Sequence, residues 1–524
     1  MTTYDHIVIG AGSGGAVVAG RLSEDGGSRV LLVEAGGSGR HMSVRIPAAF
    51  AKQFKTERDW EYYTEPEPHL DGRTIYHPRG KMLGGCSAQN AMIYIRGSHH
   101  DYDAWAKDGA TGWSYDEVLP LFKRSERNSR GADDYHGADG PMYVEDPRSP
   151  NPLSHKIVEA MEAAGLPHND DFNGADQLGS GLYQLTQHRG QRWTTANGYL
   201  RPARRRPSLT VLTDTHVLRL VLDGGRVTGI EVEREGRREV LRAEREVVLS
   251  AGAFHTPQLL MLSGIGPADH LREHGIPVVV DNPNVGDHLM DHPMYLINVE
   301  VNAKGTLIGA EHPLQLLAFL TRRRGLLTSN VGESGAFFRT RSAGEAPDVQ
   351  LIAAPGYFWD HGFATHPQPA MGIGCSLVGA VSTGRVRLRS ADPTAKAAVT
   401  FNYFAEPEDM DAMVTAIERA REVLAAGPLR ELVGKELHPS AEVRGRRLIE
   451  EDVRRHVEHT YHPACTARIG TEATGVVDPE LKVHGVDGLR VADASVFPRI
   501  PHGNTHAPTL MVGERAAELV SSGR

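Results

Sequence analysis

The chain has 524 residues, 40% of them hydrophobic and 23% charged, with a formal net charge of −9 at pH 7. This is the composition of a globular protein, and the length exceeds one ordinary core, so two or three compact units are expected. The mild acidity offers no basic stripe to nucleic acid, and the arginine runs at 201–206 and 322–324 are short and isolated, which reads as solvated loop charge.

The N-terminus, Met-Thr-Thr-Tyr-Asp, has no basic segment ahead of an apolar one, and no stretch of eighteen apolar residues follows. A cytoplasmic protein without a membrane span is expected. Residues 6–9 read as a buried strand ending in glycine, 14–23 as a helix rich in Gly and Ala, and 29–33 as a second strand ending at Glu34. This βαβ opening predicts a parallel sheet and an α/β fold. Residues 36–100 are irregular, a length that inside a compact enzyme is usually functional. Helices are expected near 115–125 and 154–164. From 208 to 250 strand-like runs at 209–212, 217–222 and 227–234 read as a β-meander, with turns at Asp223-Gly224-Gly225 and Glu235-Gly236, and 246–250 as a further strand leading into Ala251-Gly252. Residues 295–460 read as a mixed α+β region with an amphipathic helix at 407–425. A short strand at 488–492 and a helix at 508–521 close the chain. No Gly/Ser linker separates domains, which fits interleaved units. Cys86, Cys375 and Cys465 lie far apart with no C-x-x-C pair, so neither a dithiol centre, a zinc knuckle nor a disulfide scaffold is expected.

Gly10-Ala11-Gly12-Ser13-Gly14-Gly15 follows the first strand and opens the first helix, and Glu34 stands nineteen residues beyond Gly15. In that setting G-x-G-x-x-G reads as a dinucleotide site. Gly10 permits the tight turn, Gly12 lets the backbone approach a pyrophosphate, and Gly15 lets the helix sit close on the sheet. Ser13 and Gly14 complete the loop at a helix N-terminus, whose free N–H groups favour phosphate. Glu34 can accept both ribose hydroxyls and would repel a 2′-phosphate, which disfavours NADP. Glu34-Ala35-Gly36, with no second fingerprint in the chain, leans toward FAD.

Residues 79–97, Arg-Gly-Lys-Met-Leu-Gly-Gly-Cys-Ser-Ala-Gln-Asn-Ala-Met-Ile-Tyr-Ile-Arg-Gly, closely resemble the first signature of the glucose-methanol-choline (GMC) oxidoreductase family. Residues 252–260 and 263–267 resemble its second signature, 461–470 its C-terminal histidine motif, and 491–495 and 503–509 complete the set. The resemblance implies an FAD-binding part, residues 1–294 plus 460–524, interleaved with a substrate-binding part, 295–459, to which segments near 150–195 also belong. It implies that Gly84, Gly85, Ser87, Asn90 and Ala91 approach the flavin or pyrophosphate, and that the Val217 backbone meets the adenine. Asp493 and Ala494 would lie near the ribityl–phosphate chain, Thr505 and His506 near the flavin pyrimidine, and Ala251 and Tyr461 would also touch the cofactor. Gln89 stands where choline oxidases carry a flavin-linking histidine, so FAD is expected to be non-covalent. Ile352 stands where those enzymes place a further active-site histidine, which weakens a choline assignment.

Alcohol oxidation removes a proton from O–H and a hydride from the α-carbon. The flavin takes the hydride and a histidine suits the proton. The resemblance assigns the base to His462 and the partner position to His506, with either able to act and their titrations coupled. The expected reaction is oxidation of an alcohol, a primary one by preference, with electrons passed to oxygen or a quinone-type acceptor. The alternative is a non-redox enzyme of the same fold, hydroxynitrile lyase-like, or a flavin photodecarboxylase. No metal is expected. His270-Leu271-Arg272-Glu273-His274 spells H-x-x-E-H but reads as a solvated helix face, His99-His100 as a polar loop, and Cys465 as a small packing residue. Phe337, Phe338, Tyr357, Phe358 and Trp359 could wall the substrate pocket, with core packing as an equal alternative.

Overall fold

The structure is a computed structural model that describes residues 3–341 and 344–523. Its architecture is mixed α/β, built on two seven-stranded sheets. In the first, Leu209–Leu212, Val30–Val33, Thr3–Ile9 and Arg237–Leu249 lie side by side and parallel. Arg226–Arg234 and Thr215–Asp223 extend the sheet antiparallel, and Leu489–Val491 joins the end of Arg237–Leu249. The strand Val30–Val33 is buried along its whole length, as a parallel strand covered on both faces requires.

Two expectations are corrected here. Residues 246–250 are not a separate strand. One strand, Arg237–Leu249, begins as the last arm of the meander and ends inside the parallel sheet, with Arg242 paired to both Gly229 and Thr3. Residues 209–212 do not belong to the meander either. They pair parallel with Val30–Val33 at the far edge, because an apolar run specifies a strand but not its partner.

The second sheet is antiparallel, in the order Val433–His438, Pro293–Val301, Ala370–Leu377, Val349–Ala354, Ser334–Phe338 and Gly179–Leu182, with Glu458–His459 added beside Pro293–Val301. Strand periodicity of two sorts its side chains. Tyr295, Ile297, Val299, Leu351, Ala353, Met371 and Ile373 pack with Ile157 and Met161 of helix Pro152–Ala163 and with Met413 and Ile417 of helix Pro407–Leu424. The alternate residues Met294, Leu296, Ile352, Ala354 and Gly372 face a cavity between this sheet and the first.

The C-terminal helix runs His506–Ser521, two residues earlier than expected, since Pro508 is tolerated in a first turn. Gly513 lets it cross the first helix, Gly15–Leu22: a Cβ there would lie 2.8 Å from Val17 Cβ and 2.9 Å from Gly14 O. The buried Glu514 carboxylate locks the crossing by accepting from Arg21 at 2.9 Å, Arg124 at 2.8 Å and the Tyr199 hydroxyl at 2.7 Å. His99-His100 is not in a loop. It opens helix His99–Lys107, which Ser98 and Asp101 cap reciprocally.

Candidate active site

The first strand ends at Ile9 and the chain turns at Gly10, whose φ of +90° excludes most side chains. At Gly15 a Cβ would lie 2.0 Å from Gly10 O, so that glycine serves the contact of helix on strand. Gly12 differs: its missing Cβ would meet nothing nearer than Gly85 Cα at 4.0 Å. Packing alone leaves that space free beside the N-terminus of helix Gly15–Leu22, and a pyrophosphate fits such a cradle. Buried Glu34 accepts from Ala11 N–H at 2.9 Å and Gly36 N–H at 2.8 Å. Burial still pushes its pKa up to about 7, and each oxygen retains a lone pair for a ribose hydroxyl.

Gly10, Gly12, Ser13, Gly14, Glu34, Ala35, Gly85, Ser87, Asn90, Ala91, Val217, Ala251, Tyr461, Asp493, Ala494 and Thr505 line one cavity together with His462 and His506. Gly15 and Gly84 do not line it. Gly84 takes a φ of +98° and turns the chain so that Gly85 and Ser87 do. Asp493 ties the distant segments together, accepting from Gly252 N–H at 2.8 Å, Thr256 Oγ1–H at 2.7 Å and Ser495 N–H at 2.8 Å. These residues fit a dinucleotide cofactor.

At the other end of the cavity, buried His462 follows strand Glu458–His459 on a loop where Tyr461 and Cys465 both have positive φ. Asp291 pins that loop: its Oδ1 accepts from His462 N–H at 2.8 Å and His292 N–H at 2.7 Å, and its Oδ2 from His77 Nε2–H at 2.9 Å. The His77 ring stacks on His459 at 3.7 Å. His77, Asp291 and His459 are close enough to share an ion. However, His459 donates to Tyr76 O at 2.9 Å and accepts from Tyr461 N–H at 3.1 Å, so both its ring nitrogens are engaged.

The partners of His462 assign its tautomer. Thr460 Oγ1 donates its only proton to His292 O at 3.1 Å, so toward His462 Nδ1, 2.9 Å away, that oxygen accepts. His292 Nδ1 lies 3.0 Å from the same atom, and Asn504 Nδ2 lies 3.3 Å from His462 Nε2 as a donor. With the Thr460 proton on His292 O, this network assigns the His462 proton to Nδ1 and a lone pair to Nε2, toward Asn504 Nδ2. Burial, then Arg79, His459 and His77, press its pKa down to about 3. In buried His506, Nδ1 meets the Ser13 hydroxyl at 2.9 Å, while Nε2 has no partner. Burial, then Arg192, lowers its pKa to about 4. Both imidazoles are neutral at neutral pH.

Of the five aromatic residues considered for the pocket, only Phe358 lines the cavity. Phe337 packs on Phe172 at 5.3 Å and Trp359 stacks on His438 at 4.0 Å. Phe338 belongs to the core on the helix-covered face of the second sheet, and Tyr357 lies 5.5 Å from the His366 ring. The wall also draws on the irregular segment before residue 100. Phe50 lies 6.0 Å from Phe358 and Phe54 5.9 Å from Tyr461. Among the described residues lining the cavity, the carboxylates are Glu34 and Asp493, both on the dinucleotide side, and the one arginine is Arg79, which donates to Tyr461 O at 2.7 Å.

Sequence reasoning missed Asp291, His292, Thr460 and Arg79, and gave Asn504 no role. Asn504 and Arg79 sit inside quoted motifs and could have been found there. His292, one histidine among 26, carried no local signal. His270, of the H-x-x-E-H string, accepts from Leu388 N–H at 3.0 Å. Buried Cys465 has its thiol pKa raised by that burial, as an inert packing residue should.

The sequence profile of GMC oxidoreductases matches residues 4–294 and 380–513. A GMC-type oxidoreductase of Mycobacterium tuberculosis is 43% identical, over 99% of this chain and 100% of its own length. An oxygen-dependent choline dehydrogenase of Sinorhizobium medicae is 42% identical, over 98% of this chain and 95% of its own. Among solved structures, Aspergillus oryzae formate oxidase superimposes with a TM-score of 0.94 at 28% identity, covering 100% of this chain and 99% of that one. A pyridoxine 4-oxidase from Mesorbium loti does so with 0.91 at 29%, covering 99% of each.

Proposed function

The chain belongs to the GMC oxidoreductase family and is an FAD-dependent oxidoreductase acting on CH–OH donors, and from that premise we propose that it oxidises a neutral, largely apolar primary alcohol to the aldehyde. One observation carries this reading: a lone pair on His462 Nε2 and an unpartnered His506 Nε2 line the same cavity as the glycine cradle, beside an apolar sheet face. FAD, held without a covalent bond by the residues of that cradle, supplies the hydride acceptor when bound. Gln89, which lines the cavity and offers no nucleophilic ring nitrogen, supports non-covalent attachment.

His462 Nε2 is the base. Thr460 and His292 hold the ring in the tautomer that a base requires, and Asp291 holds the backbone beneath it. In this reading His506 Nδ1 accepts from the Ser13 hydroxyl at 2.9 Å, and the unpartnered Nε2 carries the N–H that donates to the alcohol oxygen. The oxygen's proton passes to His462, and the resulting imidazolium is stabilised by the alkoxide beside it in a cavity poor in competing charge.

The relatives named choline dehydrogenase raise the question of a cationic substrate. The sheet wall of Met294, Leu296, Ile352 and Ala354 is apolar, and among charged groups Arg79 presses hardest on the base. A quaternary ammonium buried there has no carboxylate, and an unpaired buried charge costs several kcal/mol. The test is anaerobic bleaching of the flavin by choline and by its uncharged isostere 3,3-dimethylbutan-1-ol. The isostere should reduce the enzyme at least ~10²-fold more efficiently, in proportion to that cost. Faster reduction by choline refutes the neutral-substrate reading, and a flavin left yellow by every alcohol refutes oxidation in favour of a lyase. Adding oxygen or a quinone to the bleached enzyme then identifies the acceptor by which one restores the colour.

A further inference from the structure

The helix Pro313–Arg322 is turned inside out. Leu314 is 65% exposed, Leu316 41%, Leu317 56% and Leu320 44%, and Ile308 just before the helix is 54% exposed. Only Phe319 is buried in this helix, where it anchors it on Ile46, Ala49 and Leu327. At 3.6 residues per turn the four leucines occupy one continuous arc of roughly 160°. Four outward leucines on ten residues exceed what scattered surface apolar groups explain.

The same corner is basic in a chain that is acidic overall. Arg322, Arg323 and Arg324 follow directly, the run that the sequence leaves as solvated loop charge. Arg148 donates to Arg323 O at 2.8 Å, Arg324 donates to Arg148 O at 3.4 Å, and Arg45 lies close enough to depress the Arg323 pKa, after desolvation. Among the described residues none of these five arginines forms an ion pair, although most arginines elsewhere do, and neighbouring Lys52 pairs with Glu311 at 2.6 Å. An outward leucine face rimmed by unpaired arginines has the charge and polarity of an interfacial helix on an anionic bilayer.

We propose that this face docks the enzyme peripherally on an anionic phospholipid surface, with the leucines in the headgroup–acyl boundary and the arginines on lipid phosphates. The helix rests on the segments 46–54 and 325–331, whose Phe50, Phe54, Asn330 and Val331 line the cavity. Docking therefore brings the apolar wall of the active site next to the lipid.

The experiment is co-flotation of the FAD-loaded enzyme with phosphatidylcholine vesicles and with vesicles of phosphatidylcholine and phosphatidylglycerol at about 7:3. The enzyme should float with the anionic vesicles at low salt, and float weakly at about 0.5 M salt, where the screening length is only a few ångströms. Each arginine near an anionic surface contributes roughly fivefold in partitioning. Leu317→Ser/Leu320→Ser and Arg322→Glu/Arg324→Glu should each reduce partitioning at least ~10-fold with flavin content and Tm unchanged. No flotation with either vesicle, or flotation indifferent to both variants, overturns the proposal. So does a wild-type dimer in sedimentation that dissociates in the leucine variant without any lipid binding, which would make the face a contact with a second copy. None of these outcomes depends on turnover, so they leave the alcohol-oxidation reading to its own test.

Discussion

Replacing His462 with Ala removes one lone pair and leaves the rest of the catalytic loop wired. Asp291 still accepts from the backbone N–H of residue 462, and Thr460 still donates to His292 O, so the cradle for FAD is untouched. A positioned base is worth ~10²–10⁴ in rate, about 2.7–5.5 kcal/mol of barrier. The structure adds a constraint on pH. Because burial holds the His462 pKa near 3, the neutral, proton-accepting form is complete throughout the neutral range. The wild-type reduction rate should therefore show no inflection near 6.5, the unperturbed value for histidine, and the ratio of wild type to His462→Ala should stay constant there. Anaerobic stopped-flow bleaching measures both quantities, with the flavin-to-protein ratio and Tm as controls and His462→Gln as the volume-conserving companion. Unchanged reduction in both variants would remove His462 from the chemistry. A wild-type rate that climbs tenfold per pH unit and levels off near 6.5 would refute the buried neutral imidazole.

Two further outcomes follow from the same geometry. Gly12→Ala places a methyl in open cavity space and Gly15→Ala drives one into Gly10 O at 2.0 Å. The first should leave the Tm of the flavin-free protein within a degree or two while weakening FAD at least ~10²-fold by titration, a cost of about 2.7 kcal/mol. The second should impair folding itself; equal effects of the two would contradict the assignment. His77, His292, His459, His462 and His506 are buried, and His255 is half-buried, with pKa values pressed below 6.5, chiefly by desolvation. The unfolded chain binds those six protons below pH 6.5 and the folded one does not. Stability should hold above that pH and fall on acidification, with Glu34 and Glu67, whose carboxyls burial raises to about 7, offsetting part of the fall by taking up protons in the folded state. Tm measured against pH should therefore decline below pH 6.5. A Tm flat between pH 6.5 and 5 would sink it.

The first βαβ unit was legible because its information is local. A buried strand, a glycine turn with φ of +90° at Gly10 and a carboxylate at the next strand end all lie within the first 34 residues. Helix Pro407–Leu424 was legible for the same reason, since its apolar spacing is a one-dimensional signal. The strand Leu209–Leu212 was legible as a strand and misplaced as a partner, because pairing across a sheet is decided by a chain segment 179 residues away that periodicity does not see.

The active site divides along the same line. His462 and His506 stand inside motifs, yet the groups that hold His462 are supplied from elsewhere: Asp291 and His292 come from the entry of another sheet, and Arg79 from the irregular segment. Substrate choice is less local still. Met294, Leu296, Ile352 and Ala354 share a wall only because three antiparallel strands bring alternate residues onto one face, with Leu296 and Ile352 both opposite Gly374. The absence of a carboxylate from that wall is a property of the assembled face and of no single segment. Met294→Glu should accordingly raise the efficiency of choline relative to its isostere at least ~10-fold, about 1.4 kcal/mol, in the flavin-bleaching assay. A ratio that does not move would mean that the substrate lies against a different wall.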